Sequence, residues 1–287
     1  MTDVRVDLHM HGPIGFSSYW LRKQGYSGKN LLKRISDVCF EREIAVCAIT
    51  SESDYTDEGG VILRNTPHDR LGFLVNQFLG RMPAEYDVGK LGDNSVCVMK
   101  NGKSVFLVNA QTVIIDDDGR RVHTVAGSNS VPNGMNYADT VSYCNDSGLL
   151  HGMQKVWLGK HGTSDAVEAK IAERSDFVEG HDAQMRFDKD ANRLAKDFAL
   201  EHDKPWIAVS NAHRIEDAGI AYILFDAKLF DASSEEKLFD SLKGAVRGRK
   251  FYNFKAYESM RGLLDWSLKF KWGVMTGGYK EADKERL

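Results

Sequence analysis

The sequence predicts an α/β barrel, and three observations support this fold class. Roughly six or seven strand–helix units follow one another along the chain, which is typical of a sheet covered by helices. The run Ala45–Thr50 is almost entirely apolar, as expected of a strand buried on both faces of a parallel sheet. No glycine-rich dinucleotide loop follows a predicted strand, which favours a barrel over a doubly wound sheet.

The first strand–helix–strand unit rests on two different periodicities. Apolar residues alternate with polar ones over residues 4–8, which predicts a strand that Gly12-Pro13 ends. Asn30–Arg42 carries apolar residues at helical spacing and predicts a helix. Ala45–Thr50 then supplies the second strand.

The next segment combines an irregular stretch with a hairpin. Residues 51–92 show no clear periodicity and are expected to be irregular. Val96–Met99 and Ser104–Val108 flank Asn101-Gly102, a pair typical of a tight two-residue hairpin turn. The chain is therefore predicted to be one barrel domain over residues 1–287, with an irregular insertion at about 51–103.

The second half returns to alternation of strands and helices, with a short β segment first. Helix starts are marked by capping residues, such as the serines and glutamates at 233–236. Strands are predicted at Arg121–Ala126, Leu149–Met153, Asp176–Glu179, Pro205–Ser210 and Ala221–Phe225, and helices at Ser164–Ala172, Asp188–His202 and Ser233–Arg247.

Composition excludes several classes of protein. With 287 residues, 42% hydrophobic content and a net charge of −3, the chain does not have the strong basic charge typical of non-specific nucleic-acid binding. No apolar run is long enough for a membrane span, so no membrane partner is expected. The four cysteines are scattered without a C-x-x-C pair, which predicts reduced thiols and a cytoplasmic location. No pattern indicates the oligomeric state.

Two histidines lie one residue apart at the end of the first predicted strand. Because side chains at i and i+2 share one face of a strand, His9 and His11 can direct their ring nitrogens to one point. Such a pair suits a transition metal, although ordinary strand histidines also explain this spacing. Catalytic groups of barrels gather at the C-terminal ends of strands, and polar residues collect at the predicted ends. They are His9, His11, Ser51, Glu52, Gln111, Thr112, Gln154, Glu179, His181, Asn211 and His213.

Five segments in the same order resemble motifs of one known family. Asp7-Leu8-His9-Met10-His11 is similar to D-L-H-x-H, and Ala48–Glu52 stands where the family reads approximately A-I-T-D-H. Asp176–Ala183 resembles D-x-(I/V)-E-x-x-N-A. Asn192 together with Ser210–Gly219 resembles N-x-x-A followed by S-D-A-H-R-x-x-D-x-G, and Leu238–Tyr252 resembles the closing A-L-x-x-G-R-x-Y. The family is the PHP (polymerase and histidinol phosphatase) superfamily of metal-dependent phosphoesterases.

This resemblance implies a fold and a metal site. The fold would be a distorted seven-stranded (β/α) barrel of TIM-like type with a β-hairpin insertion. The implied ligands are His9, His11, His213 and Glu179, with Glu52 as a further carboxylate. Other family ligands are absent, because Ser51, Gln154 and Asn211 stand at ligand positions and the glutamate expected near Thr112 is missing. Ser51, Thr112, Gln154, Asn211 and Arg214 are accordingly expected to line the pocket.

The missing ligands lower the number of ions expected. Neighbouring divalent cations need anionic ligands to offset their repulsion, so fewer ions are expected than in a three-metal relative. One Zn, Mn or Fe ion, catalytic or structural, remains feasible with three imidazoles and a carboxylate. The alternative is a site without metal.

Two function classes follow from these site residues. The first is a phosphoesterase that hydrolyses a small phosphorylated molecule or nucleotide by metal-activated water, with Arg214 steadying the phosphate. The second is a catalytically silent barrel that binds a ligand or serves as a scaffold. The catalytic residues themselves are not identified by the sequence.

Overall fold

In a computed structural model of the chain, the described residues are 3–11, 26, 28–52, 69–116, 120–154, 173–186, 189–261, 264 and 268. They form eleven strands and five longer helices. The strands are β1 Asp3–Met10, β2 Ile44–Glu52, β3 Tyr86–Lys90, β4 Ser95–Lys100, β5 Lys103–Asp116, β6 Arg120–Ala126, β7 Leu150–Met153, β8 Phe177–Asp182, β9 Trp206–Val209, β10 Tyr222–Asp226 and β11 Tyr252–Phe254. The helices are α1 Leu31–Glu41, α2 Arg70–Phe78, α3 Tyr137–Asp146, α4 Lys189–Glu201 and α5 Glu235–Arg247.

Nine of the strands form one continuous path in the order β11-β10-β1-β2-β5-β6-β7-β8-β9. The β3–β4 hairpin lies off this path and pairs with β5 through β4. Pairing is parallel from β1 through β2 to β5 and again from β7 through β8 to β9. It is antiparallel from β5 through β6 to β7 and from β1 through β10 to β11. The sheet is therefore mixed.

The two ends of this path come back together, so the sheet is nearly closed. The segment after β9 reaches β1 through a parallel bridge between Met10 and Ala212. The buried Asp7 carboxylate accepts hydrogen bonds from the backbone N–H groups of Ser210 and Gly219, which reinforces this closure. Burial raises the pKa of Asp7, while these hydrogen bonds favour its charged form.

A side-chain contact between β11 and β9 completes the closure of the sheet. The Asn253 amide on β11 accepts a hydrogen bond from Ala208 N at 2.7 Å and donates one to Trp206 O at 2.9 Å. An asparagine amide has one donor group and one acceptor, as a peptide group does, so it can replace a strand partner. Asn253 therefore links the two terminal strands of the path.

Two apolar clusters lie on opposite faces of the central strands. In the first cluster, Val6, Val46 and Val108 pack against α5, which contributes Leu238. The second packs Cys47 and other residues of the central strands against α1 and α2. Burial of both strand faces explains why Ala45–Thr50 is a nearly continuous apolar run.

A register shift in β1 changes the direction of its side chains. Leu8 packs in the cluster with α5, whereas Met10 packs in the cluster with α1 and α2. Residues two apart would share a face in a regular strand, but the pairing of β1 with β2 slips between Asp7 and Met10. The register shift therefore changes the face of the sheet on which the last residues of β1 are buried.

Most of the predicted elements that fall on described residues are confirmed. Asn30 caps α1 by accepting a hydrogen bond from Lys33 N, and Ser234 caps α5 in the same way. Asn101 and Gly102 both have positive φ angles between β4 and β5, as a tight hairpin turn requires. The proposed stop at Gly12-Pro13 and the helix at Ser164–Ala172 lie outside the described residues.

The expectation of an irregular stretch over residues 51–92 is wrong for the described part of it. α2 and β3 both lie within it, and α2 buries Leu71, Leu74, Val75 and Phe78 at helical spacing. That spacing is visible in the sequence. The helix α3 and the strand β11 were not predicted either.

The barrel-like α/β class is confirmed, but the seven-stranded TIM-like type is not. The path contains nine strands and four antiparallel pairings. Antiparallel neighbours need only short connections, so β4, β5 and β6 join without intervening helices.

Candidate functional site

Three histidines from two distant parts of the chain meet at the C-terminal ends of β1 and β9. The His9 and His11 rings have centroids 4.5 Å apart, and their Nε2 atoms are separated by 2.8 Å. The His213 ring stacks on His11 with a centroid separation of 4.6 Å and an interplanar angle of 19°. These residues form the imidazole cluster. His9 and His11 are fully buried, and His213 is partly exposed.

Backbone pairing brings the imidazole cluster together. Asn211 N donates to His9 O at 2.8 Å, and His11 N donates to Ala212 O at 3.0 Å. The segment that carries His213 therefore runs alongside the end of β1. Asn211 adopts a left-handed backbone with φ of 46°, a conformation that asparagine tolerates better than most residues.

A buried carboxylate orients the first of these rings. Glu179 Oε1 on β8 lies 2.8 Å from His9 Nδ1 and accepts a hydrogen bond from Thr124 Oγ1 at 2.7 Å. Its second oxygen, Oε2, is buried without a hydrogen-bond partner among the described residues. The carboxylate therefore keeps one oxygen available.

A second oxygen without a partner lies beside the same ring. Gln154 Nε2 is 3.2 Å from His9 Nε2, and Gln154 Oε1 is buried with no hydrogen-bond partner within the described ranges. Buried oxygens normally find a donor or a cation, because leaving them unpaired is costly. Imidazole nitrogens flanked by two unpaired oxygens suit a single divalent cation chemically.

The donors are not assembled into a finished metal site in this conformation. Among the residues that the structure describes, no group of three His, Cys, Asp or Glu side chains is arranged to hold a metal ion. The nearly parallel stacking of His11 and His213 explains this, because the in-plane lone pairs of stacked rings do not converge. Rotation of the His213 ring would be needed for three nitrogens to face one ion.

The residues that stand where the resembled motifs carry metal ligands have structural contacts of their own. Ser51 Oγ accepts a hydrogen bond from Arg70 N at 3.3 Å. Asn211 Nδ2 donates to Asp182 Oδ2 at 2.7 Å. A carboxylate in place of the Asn211 amide would be repelled by Asp182. The Glu52 backbone lies at the end of β2, but its side chain is outside the described part of the structure.

Neighbouring Gln111 and Thr112 on β5 face opposite sides of the sheet. Gln111 Nε2 donates to Val131 O at 2.7 Å, and Gln111 Oε1 accepts from Val131 N at 2.9 Å, so this amide secures a loop. Thr112 instead pairs in register with Thr124, the residue that contacts Glu179. The inward position near the missing glutamate is therefore Thr112.

Other histidines considered at this end of the barrel do not join the imidazole cluster. His181 Nε2 lies 3.0 Å from Ala256 O, and burial lowers the pKa of His181. His151 Nε2 lies 3.2 Å from Asn145 Oδ1, and burial lowers its pKa to about 4.

Two arginines supply positive charge near the imidazole cluster. Arg214 follows His213 directly, and its Nε lies 3.6 Å from Asp217 Oδ2 and 4.0 Å from Glu216 Oε2. Arg70 at the start of α2 is buried and donates to His11 O at 2.6 Å. The sequence did not single out Arg70, because its helix was not predicted.

A pair of buried carboxyl groups lies next to Arg214. Glu258 is 1% exposed, and both of its oxygens lack a hydrogen-bond donor among the described residues. Burial and the adjacent Asp217 raise the pKa of Glu258 to about 8, and burial raises the pKa of Asp217 as well. At neutral pH we therefore expect the two carboxyl groups, Asp217 and Glu258, to hold one proton between them. They are called the carboxyl pair below.

Sequence reasoning missed Glu258 and Thr124, because both depend on pairing between distant segments. Glu258 follows β11, an unpredicted strand, and its backbone N–H is held by Ala183 O at 2.9 Å. Thr124 lies on a short strand whose pairing no local pattern specifies. No motif marks either residue.

Comparison with solved structures shows the same fold at low sequence identity. PsfC from Pseudomonas syringae PB-5123 superposes with a TM-score of 0.58 at 11% identity, covering 95% of this chain and 98% of that one. A two-domain protein from Bacteroides vulgatus ATCC 8482, containing a predicted PHP-like metal-dependent phosphoesterase, gives a TM-score of 0.53 at 12% identity. That match covers 89% of this chain and 65% of that one.

A more distant similarity is to the lesion-specific endonuclease PfuEndoQ from Pyrococcus furiosus. Its TM-score is 0.48 at 13% identity, with 86% of this chain and 56% of that one covered. A comparison with curated proteins gave no match. Within the described ranges, no helix combines the length and the apolar character needed to cross a membrane.

One family model matches the sequence directly. The model described as PHP-associated covers residues 189–246, from the start of α4 almost to the end of α5. This segment includes Asn211, His213 and Arg214. Over this segment the chain is similar to the PHP-associated family, and its barrel-like fold is similar to that of the two solved structures named first.

Proposed function

We propose that the protein is a metal-dependent hydrolase of the PHP type that cleaves a phosphate ester with one bound divalent ion. The observation that supports this proposal is the imidazole cluster, in which His9, His11 and His213 meet beside the buried Glu179 carboxylate. Three histidines with a neighbouring carboxylate are a common donor set for Zn, Mn or Fe.

The charges near the imidazole cluster favour one ion over two or three. Glu179 is the carboxylate in contact with His9, while Thr112 and Asn211 are neutral at positions where family members place anionic ligands. Two adjacent divalent ions would repel each other strongly without bridging anions. Glu52 stands as a possible further carboxylate from β2.

Different residues would orient the metal ligands and bind the phosphate group. When bound, a divalent ion would acidify a water molecule and polarise a phosphate oxygen. Glu179 fixes the orientation of His9, and the buried surroundings of both groups limit access of bulk water. Arg214, held by Asp217 and Glu216, provides positive charge for a phosphate group.

The proposed substrate is a small phosphorylated molecule or a nucleotide. The net charge of −3 offers no broad electrostatic attraction for a nucleic acid, whereas single arginines suit a single phosphate group. The substrate panel should nevertheless include a short oligonucleotide, because phosphodiesters are cleaved by the same type of chemistry.

Metal content and turnover of the purified protein test the proposal together. Untagged protein should contain about one Zn, Mn or Fe ion per chain and hydrolyse nitrophenyl phosphate or bis-nitrophenyl phosphate. His9→Ala should lose both the metal and the activity, whereas His202→Ala, outside the imidazole cluster, should keep both. Unchanged turnover in the folded His9→Ala protein would refute the proposal.

A second candidate function is a ligand-binding barrel without catalysis. The contact that favours it is Asn211 with Asp182, because this side chain is engaged in a structural hydrogen bond at a ligand position. Metal-free protein with no turnover across the phosphoester panel would support this alternative. A stoichiometric metal together with activity lost in His9→Ala would exclude it.

A further inference from the structure

A chain of hydrogen bonds joins three strands behind the imidazole cluster. Thr124 Oγ1 on β6 donates to Glu179 Oε1 on β8 at 2.7 Å, and the same oxygen lies 2.8 Å from His9 Nδ1 on β1. Thr124 and His9 are 0% exposed and Glu179 is 2% exposed, so water does not compete for these contacts.

The contact with Glu179 determines where the His9 proton lies. A carboxylate oxygen only accepts hydrogen bonds, so the proton of a neutral His9 resides on Nδ1. Nε2 then carries the lone pair, and it is this nitrogen that faces His11 Nε2 at 2.8 Å. The nitrogen directed into the imidazole cluster is thus left able to bind a metal ion.

Thr124 restricts the orientation in which the Glu179 carboxylate accepts the His9 proton. The threonine hydroxyl is the second donor to the oxygen that receives the His9 proton, and it fixes the rotation of the carboxylate about its terminal bond. The other oxygen, Oε2, has no partner among the described residues to hold it. Without the hydroxyl, no described side chain other than His9 would hold the orientation of the carboxylate.

We infer that Thr124 is a positioning residue of the metal site, acting through Glu179 to hold His9 with its proton on Nδ1 and its Nε2 facing His11. This inference rests on the proposed function for its metal readout, although the orientation of His9 can be tested in metal-free protein. Within the described ranges, Thr124 reaches the imidazole cluster through Glu179.

Two substitutions at this position and one elsewhere separate positioning from simple stabilisation. Thr124→Val keeps the shape of the side chain and removes the hydroxyl, while Thr124→Ser keeps the hydroxyl and removes the methyl group. Thr140→Val is the matched control, because Thr140 is also 0% exposed and its hydroxyl donates to Asn136 O at the N-terminal cap of α3, outside the imidazole cluster. Any general cost of burying valine for threonine should appear in both valine variants.

The first measurement is the tautomer of His9 in metal-free protein, from the ¹⁵N shifts of its ring nitrogens. The wild type, Thr124→Ser and Thr140→Val should show the proton on Nδ1. Thr124→Val should show a mixture of tautomers. A His9 tautomer that is identical in Thr124→Val and the wild type would overturn the inference.

The second measurement is Zn²⁺ affinity by titration calorimetry. Groups that orient metal ligands typically contribute a factor of 10 to 100 in affinity, so Thr124→Val should bind about tenfold more weakly. Thr124→Ser should restore the affinity, and Thr140→Val should leave it unchanged. If the wild type binds no metal, the proposed function fails, and the tautomer measurement alone decides the role of Thr124.

Discussion

Replacing Glu258 with glutamine should stabilise the protein at neutral pH. Glu258 is 1% exposed and faces Asp217, and the Asp182 carboxylate adds further negative charge. Arg214 and Arg42 partly compensate on the Asp217 side, while Glu216 adds to the repulsion. A glutamine keeps the size of the side chain, and its amide can donate to Asp217 as the protonated carboxyl does. The substitution removes only the ionisation.

The sign and size of the effect follow from the two pKa values of this carboxyl group. The pKa of Glu258 is about 8 in the folded protein, against an ordinary value of 4.5. Between those pH values the folded state keeps a proton that the unfolded chain releases, so stability falls as pH rises. One pKa unit corresponds to about 1.4 kcal/mol, so Glu258→Gln should gain about 1 to 3 kcal/mol over the wild type between about pH 5 and pH 7.

Urea unfolding of both proteins at several pH values measures this difference. The free energy of unfolding of Glu258→Gln minus that of the wild type should rise steadily with pH and level off above about pH 8. Glu201→Gln is the matched control, because Glu201 is exposed at the end of α4 and should give a flat difference. A flat difference for Glu258→Gln as well would refute the shared proton.

Three further substitutions test individual contacts of the fold, each by the free energy of unfolding in urea. Gln111→Ala should cost about 1 to 3 kcal/mol, since it leaves a buried backbone N–H and C=O unpaired; no loss would mean that the loop it holds re-pairs. Asn253→Ala should cost a similar amount, about 1 to 3 kcal/mol, by opening the contact between β11 and β9, and wild-type stability would contradict its closing role. Gly152→Ala should cost about 1 to 3 kcal/mol, because the added Cβ would lie 2.3 Å from the Phe177 ring. Gly89→Ala is its control, since a Cβ there would meet nothing within 4 Å, and equal stabilities of the two variants would contradict the packing around Gly152.

Local patterns in the sequence were sufficient for much of the fold. The helix α1, the strand β2 and the turn at Asn101-Gly102 depend on contacts between residues a few positions apart. The same applies to the helical spacing in α2, whose apolar residues were present but not recognised. Short-range periodicity reports which face of an element is buried, and little more.

In the candidate site, too, local motifs identified some residues, whereas the placement of others depends on strand pairing. The H-x-H pair and the A-H-R segment identified His9, His11 and His213, and the structure places their rings together. Their role as metal ligands remains a prediction. The direction of Gln111 away from Thr112 could not be assigned without the pairing of β5 with its neighbours, because a shift of one residue exchanges the two faces of a strand.

The sequence by itself determined the alternation of strands and helices, the hairpin at residues 96–108 and the identity of the histidines that meet. Only the tertiary structure decided the bulge in β1, the return of β9 to β1, and the placement of Thr124 and Glu258 beside that site. The physical reason is separation along the chain. Thr124 and Glu179 are 55 positions apart, and hydrogen bonds over such distances leave no periodic pattern in the sequence.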